Sequence, residues 1–318
     1  MTPDSKRFLH PESIRRIGRL EIRARHIVEG LLSGMHRSPY FGQSVEFLQH
    51  RQYAPGDDLR HVDWKVWAKQ DRLYVKQFEE DTNMRCTLLV DVSSSMRYGS
   101  GPLNKYEYAA TAAVSLAYLL LRQHDAVACV AYDQVVRART PLRSTEKHLG
   151  SIAQTLDSQR PHQTRGDGKT DTGAILRDIA NNSSRRGLMV LFSDLLGDVP
   201  ATMRSLRLLR QQGHGVMVLQ VLDDEELDFP FDGPTRFEGL ELPRHLKCNP
   251  RALREGYLQA LETFLTTIRR GCAHDGIDYT LIRTSEPLDA ALAALVTRRM
   301  AAARGGGGKR GRGAGGSR

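Results

Sequence analysis

Asp91, Ser93 and Ser95 stand at alternate positions directly after an apolar run, Thr87-Leu88-Leu89-Val90. A carboxylate and two hydroxyls leaving one strand end can converge on a point, and oxygen atoms are what a hard divalent cation coordinates. The same Asp-x-Ser-x-Ser pattern also suits a cap for the next helix or turn, and the five residues alone leave both readings open. The run before them is short, continuous and partly β-branched, as in a buried central strand. Asp91 then falls at the carboxyl end of that strand, the edge where open α/β sheets bind ligands.

Two residues from later in the chain add to the set. Thr170, in Gly168-Lys169-Thr170-Asp171, lies just before a helical segment, and Asp194 follows the apolar run Gly187 to Phe192. In a parallel sheet both come to the edge that carries Asp91, so five oxygen-bearing side chains from three loops share one rim. Competing chemistries lack a required residue. A P-loop ending at Gly168-Lys169-Thr170 needs glycine at position 163, where Gln163 stands. An Asp-x-Asp phosphatase needs an acid at Ser93. A Gly-x-Ser-x-Gly nucleophile elbow is absent. The acidic run Asp223-Asp224-Glu225-Glu226 reads as a solvated loop after a strand, with a second cation site as the sharper alternative.

The elements needed to position these residues are legible from residue 84 onward. Lys105 to His124 is a helix apolar nearly all round and therefore buried, and Asp125 to Tyr132 is the next strand, with Val135-Val136 in a short hairpin. Helices follow from a Ser144-Thr145 cap to Leu156, from Thr172 to Asn181 and from Pro200 to Gln212. Gly187 to Phe192, Val216 to Leu222 and Ile277 to Ile282 are strands. Residues 223–241 read as an acidic insertion containing Pro and Gly, and helices from Arg251 to Cys272 and from Pro287 to Ala303 complete the series. Strands alternating with helices give the fold class: α/β, a doubly wound, mainly parallel sheet. Ahead of it, residues 11–34 form an amphipathic helix with a solvated basic face of Arg15, Arg16, Arg19 and Arg23. Val45 to Leu48 and Leu73 to Phe78 form a small β extension.

Composition narrows the class further. Of 46 basic residues, the seven between Arg298 and Arg318 face no acid; without them 39 remain against 37 acidic ones, a nearly neutral body. The +9 net charge therefore belongs to a tail and gives the fold no nucleic-acid footprint. The Gly/Arg tail, residues 304–318, is expected to be disordered, and RNA association could enter only through it. Cys86 and Cys129 fall in strand-like runs, as buried reduced thiols do, and the four cysteines show no metal-finger spacing. No apolar signal core opens the chain, and the longest apolar run, from Ala109 to Leu121, is short of the roughly 20 residues that span a bilayer. These features describe a cytoplasmic protein.

The five-residue set resembles the metal-ion-dependent adhesion site of von Willebrand factor A domains. Three longer stretches also resemble the signature of the DUF58 family: His36-Arg37-Ser38-Pro39-Tyr40-Phe41-Gly42, Tyr53 to Lys65 (YAPGDDLRHVDWK) and Asp71-Arg72-Leu73-Tyr74. The resemblance runs from about residue 30 to about 300. It implies a von Willebrand A-like domain over 84–303, preceded by a helix and β extension over 1–83. In bacteria it also implies gene neighbourhood with a MoxR-type AAA+ ATPase. By the same resemblance Ser93, Ser95 and Thr170 ligate Mg²⁺ (or Mn²⁺) directly, and Asp91 and Asp194 act mainly through water. Lys169 departs from the glycine the family tends to place there. The expected function is a non-enzymatic, metal-dependent protein-binding module that takes an acidic residue of its partner, either the ATPase or its client. The alternative is a metal-dependent hydrolase using the same sheet edge. His61 and Asp63, in a charge-rich segment with Trp64 and Trp67, are read as structural ion-pairing residues.

Overall fold

The computed structural model describes residues 20–35, 47–52, 74–78, 84–161, 172–182, 185–240 and 245–293. The chain divides into two compact units, Ser33–Asn83 and the remainder. In the small unit β1 (Phe47–Gln52) pairs antiparallel with β2 (Tyr74–Phe78), with a register shift between Phe47 and Gln49. The ion-pairing segment with His61, Asp63, Trp64 and Trp67 lies outside the described residues.

In the large unit, β3 (Arg85–Asp91) is the first strand of the main sheet and lies in its interior. β4 (Ala126–Tyr132) and the short antiparallel β5 (Val136–Arg139) extend the sheet to one side. On the other side come β6 (Leu188–Ser193), β7 (Gly215–Leu222) and β10 (Asp278–Arg283), all parallel. The order β10-β7-β6-β3-β4-β5 reverses direction beside β3. That reversal is the topological switch point, where a crevice opens at the carboxyl ends of the strands. The doubly wound, mainly parallel reading therefore holds.

α2 (Lys105–Arg122) connects β3 to β4 and buries every residue from Lys105 to Leu121 except Glu107. Asn104 starts it with a capping box: its side chain accepts from the Glu107 N–H, and the Glu107 carboxylate accepts from the Asn104 N–H. α3 (His148–Ser158) packs beside it. α1 (Leu20–Met35) also lies against α2, since Arg23 is 7% exposed and donates to Thr111 Oγ1 at 3.3 Å. This corrects the solvated-face reading for Arg23: a long stem carries its guanidinium to a buried hydroxyl that sequence periodicity does not reveal.

The opposite sheet face is covered by α4 (Thr172–Asn182), α5 (Val199–Gln211) and α7 (Pro250–His274). Their apolar sides meet Leu89, Val130, Leu191 and Val218 of the strands in one core. α4 and α5 approach closely at Gly173, where an added Cβ would lie 2.8 Å from the Ala201 carbonyl carbon. Cys86 and Cys129 are buried free thiols, as expected, and burial pushes Cys129 up to about 12.

Residues 223–241 differ from expectation. Asp223 caps a five-residue helix, α6 (Asp224–Asp228), and β8 (Thr235–Glu238) pairs with β9 (His245–Cys248) in a hairpin. Phe229 stacks on Phe237 and Tyr257, giving this segment an aromatic core of its own. The acids at its start hid this from a reading by composition, because in a capping box they serve as local hydrogen-bond acceptors.

Candidate metal site at the carboxyl edge

β3 and β6 run in parallel register, with Val90 beside Phe192, so Asp91 comes level with Ser193. The Ser193 hydroxyl donates to Asp91 Oδ2 at 2.6 Å, and the Ser93 N–H donates to Asp91 Oδ1 at 2.9 Å. Both oxygens of this 2%-exposed carboxylate are thus held by neutral donors. Burial, and after it the charge of Asp194, push Asp91 up to about 7.

Ser93 and Ser95 leave the strand into a 3-10 turn over Ser94–Arg97, and their hydroxyls are hydrogen-bonded to each other at 3.0 Å. Ser93 is buried and Ser95 is half-buried. Neighbouring ligands of an octahedral Mg²⁺, with bonds of about 2.0–2.1 Å, sit about 2.9 Å from each other. The serine pair has that spacing. Next to Asp91 in the sheet register, the Tyr132 hydroxyl is fully buried and makes no well-formed hydrogen bond among the described residues, with the Ser193 and Thr172 hydroxyls close to it.

Asp194 is aimed by an unusual turn. Leu195, immediately after it, adopts the left-handed conformation at φ 58° although it is 5% exposed and not glycine. Such a conformation costs roughly 1–2 kcal/mol. Its N–H donates to Ser193 Oγ at 3.0 Å, the Leu196 N–H donates to Asp194 Oδ1 at 3.1 Å, and Gln220 Nε2 donates to the Asp194 carbonyl at 2.8 Å. Gln220 is itself held by the Tyr279 hydroxyl at 2.7 Å.

Lys105, the first residue of α2, is the group that sequence reasoning missed. Its ammonium is wholly buried and donates to Asp194 Oδ2 at 2.8 Å and to Glu226 Oε1 at 2.7 Å. Burial alone would depress this lysine, but the two carboxylates outweigh burial and hold it above its usual value. Glu226 is raised, chiefly by burial. One signal was present: a cation at a helix N-terminus opposes the macrodipole, so Lys105 needed a specific acid nearby.

The acidic run proves to be a fastener and not a solvated loop. Asp223 is fully buried and accepts from the Ser100 N–H at 3.0 Å, Ser100 Oγ at 2.6 Å and Thr284 Oγ1 at 2.8 Å. Tyr98 OH donates to Glu225 at 2.6 Å. The loop after Ser95 is thereby tied to α6 and to the segment following β10. These interactions occupy both Asp223 oxygens, against the second-cation alternative at that residue.

The edge brings together four of the five expected residues, Asp91, Ser93, Ser95 and Asp194. Thr170, with Lys169, lies outside the described residues; α4 begins two residues later. Around the four, Asp194 and Glu226 share the ammonium of Lys105, and Asp91 has no ion-pair partner among the described residues, an excess of two negative charges when all three acids are ionised. Acids and imidazoles alone form no metal-binding group of three among the described residues, so a cation here would depend on the serine hydroxyls. The hydroxyl spacing and the charge excess fit a small divalent cation held mostly by neutral oxygens.

Comparison with known proteins agrees with the signature stretches. The chain is 28% identical over 269 residues to "Uncharacterized protein Rv1480" of Mycobacterium tuberculosis, covering 83% of each, and equally to "Uncharacterized protein Mb1516" of Mycobacterium bovis. Among solved structures, the conserved hypothetical protein BatB from Bacteroides thetaiotaomicron matches with TM-score 0.45 and 17% identity, over 68% of this chain and 98% of that one. An aerotolerance-related membrane protein from Bacteroides fragilis matches with TM-score 0.42 and 17% identity, over 67% and 96%. No helix among the described residues is long and apolar enough to cross a membrane. The profile "Protein of unknown function DUF58" matches residues 49–263, well over half of the sequence, and the chain belongs to that family.

Proposed function

We propose that the carboxyl edge is a Mg²⁺- or Mn²⁺-dependent protein-binding site of the von Willebrand A type. The observation that carries this reading is the hydroxyl pair of Ser93 and Ser95, 3.0 Å apart, beside the buried Asp91 carboxylate, which has no ion-pair partner among the described residues. Ser93 and Ser95, with Thr170 by resemblance, would hold the ion directly. Asp91 and Asp194, whose oxygens are already engaged by protein donors, would act through water. When bound, the ion supplies an electrophilic open position that a carboxylate of another protein can fill. Ser193, Gln220 and Lys105 keep the two acids oriented, and Tyr98 and Ser100 keep the serine loop in place. The family resemblance makes a MoxR-type AAA+ ATPase, or its client, the partner to try first.

Calorimetric titration with MgCl₂ and MnCl₂ tests the site. Wild type should bind one ion and Asp91→Ala should bind none, with both proteins folded by circular dichroism. Equal heats from the two would remove the metal reading. A pull-down with the purified ATPase, with and without chelator, tests the partner separately; retention unaffected by chelator would remove metal-dependent docking while leaving the ion site standing.

A further inference from the structure

The opposite end of the sheet carries a second feature. Arg85 opens β3, six residues before Asp91, which places it about 20 Å from the metal edge at ~3.3 Å per residue. Between the two, on the face that bears α4, Thr87 pairs in register with Ala128 on one side and with Met189 on the other. Two small side chains standing next to each other leave a dip in the sheet surface. α4 covers the following pair, Leu89 and Val130, and ends at Asn182. The result is an open hollow of about 360 Å³ whose lining includes Thr87, Ala128, Val130 and Met189. That volume lies in the ~300–1,000 Å³ range of small-molecule sites.

Its rim is basic. Arg85, Arg139 and Arg185 line the hollow, and among the described residues its lining includes no Asp or Glu. None of the three forms an ion pair among the described residues, although the body of the protein carries nearly equal numbers of acids and bases. Three guanidiniums around one cavity can offer an anion charge-assisted, often bidentate hydrogen bonds. The floor offers apolar surface, and Leu142, 40% exposed, adds more at the rim. We infer that this amino-edge hollow binds a small amphipathic anion, with its apolar chain on the Thr87–Ala128 floor and its carboxylate or phosphate head among Arg85, Arg139 and Arg185. The inference does not depend on the metal site.

The test is calorimetric titration of the full-length chain with decanoate, decyl phosphate and decanol, each below its micelle-forming concentration. The two anions bind and decanol binds at least tenfold more weakly; whichever anion binds tighter identifies the preferred head group. Arg85→Gln combined with Arg139→Gln lowers anion affinity at least tenfold. Ala128→Leu, which fills the dip without altering charge, does the same. Equal binding of decanol, no anion binding at all, or anion affinity in the arginine double variant within twofold of wild type overturns the proposal. Those arginines sit on the rim, so the double variant remains decisive if Ala128→Leu disturbs folding, which a thermal melt reports.

Discussion

The two ends of the central strand handle charge in opposite ways. At the carboxyl edge Asp91 and Asp194 are buried and Glu226 half-buried, organised by hydroxyls, an amide and one buried lysine. At the amino edge Arg85, Arg139 and Arg185 stay at the rim of an open hollow with no acid among its described lining residues. Charge that is buried must be matched, because burying an ion without a partner costs several kcal/mol. Charge that stays in water keeps its hydration and contributes little to stability, paired or not. The same type of change at the two ends should therefore have very different consequences.

The largest contrast comes from removing one positive charge at each end. Lys105→Met leaves the buried Asp194 and the half-buried Glu226 without their ammonium and should cost about 3–5 kcal/mol. Arg85→Gln should change stability by less than ~0.5 kcal/mol. Urea denaturation of both variants checks this, and comparable losses would mean the two edges are not electrostatically distinct. A smaller effect is expected at the helix that opens onto the carboxyl edge. Gly173→Ala forces a Cβ against the Ala201 backbone, and overpacking should cost about 1–3 kcal/mol despite alanine's better helix propensity. If the variant is instead stabilised, the close α4–α5 approach is not what seats this end of α4.

The smallest effect concerns pH. His148 and His214 are buried toward the amino edge, 4% and 1% exposed, and burial lowers both from the usual 6.5. Native imidazoles therefore stay neutral where unfolded ones take up protons. Their contribution is present above about pH 6.5 and is lost as pH falls through the lowered folded values. The difference in unfolding free energy between wild type and a His148→Gln, His214→Gln variant, measured at pH 7.5 and 5.5, should shrink in the acid. A difference that does not change with pH would show that these imidazoles titrate alike folded and unfolded.

Much of the carboxyl edge was legible before any coordinates. Asp91, Ser93, Ser95 and Asp194 could be placed because each follows an apolar run short enough to be a strand, and parallel strands end together. Lys105 was not, because a buried lysine looks like a surface one until its partners are known, and those partners lie 89 and 121 residues away. Asp223 was misread for the same reason: Ser100 and Thr284, which make its burial tolerable, are distant in the chain. The hollow at the amino edge was also invisible. A threonine and an alanine make a dip only when the register sets them side by side.

The sequence by itself determined the alternation of strands and helices, the strand that carries the Asp-x-Ser-x-Ser motif and the family. These follow from local periodicity and contiguous motifs, which neighbouring residues encode. Only the tertiary structure decided which charges are buried and what compensates them, including Lys105 between Asp194 and Glu226. Electrostatic matching depends on distance through space, and in this fold the chain closes those distances only when β3, β6 and α6 meet at one edge.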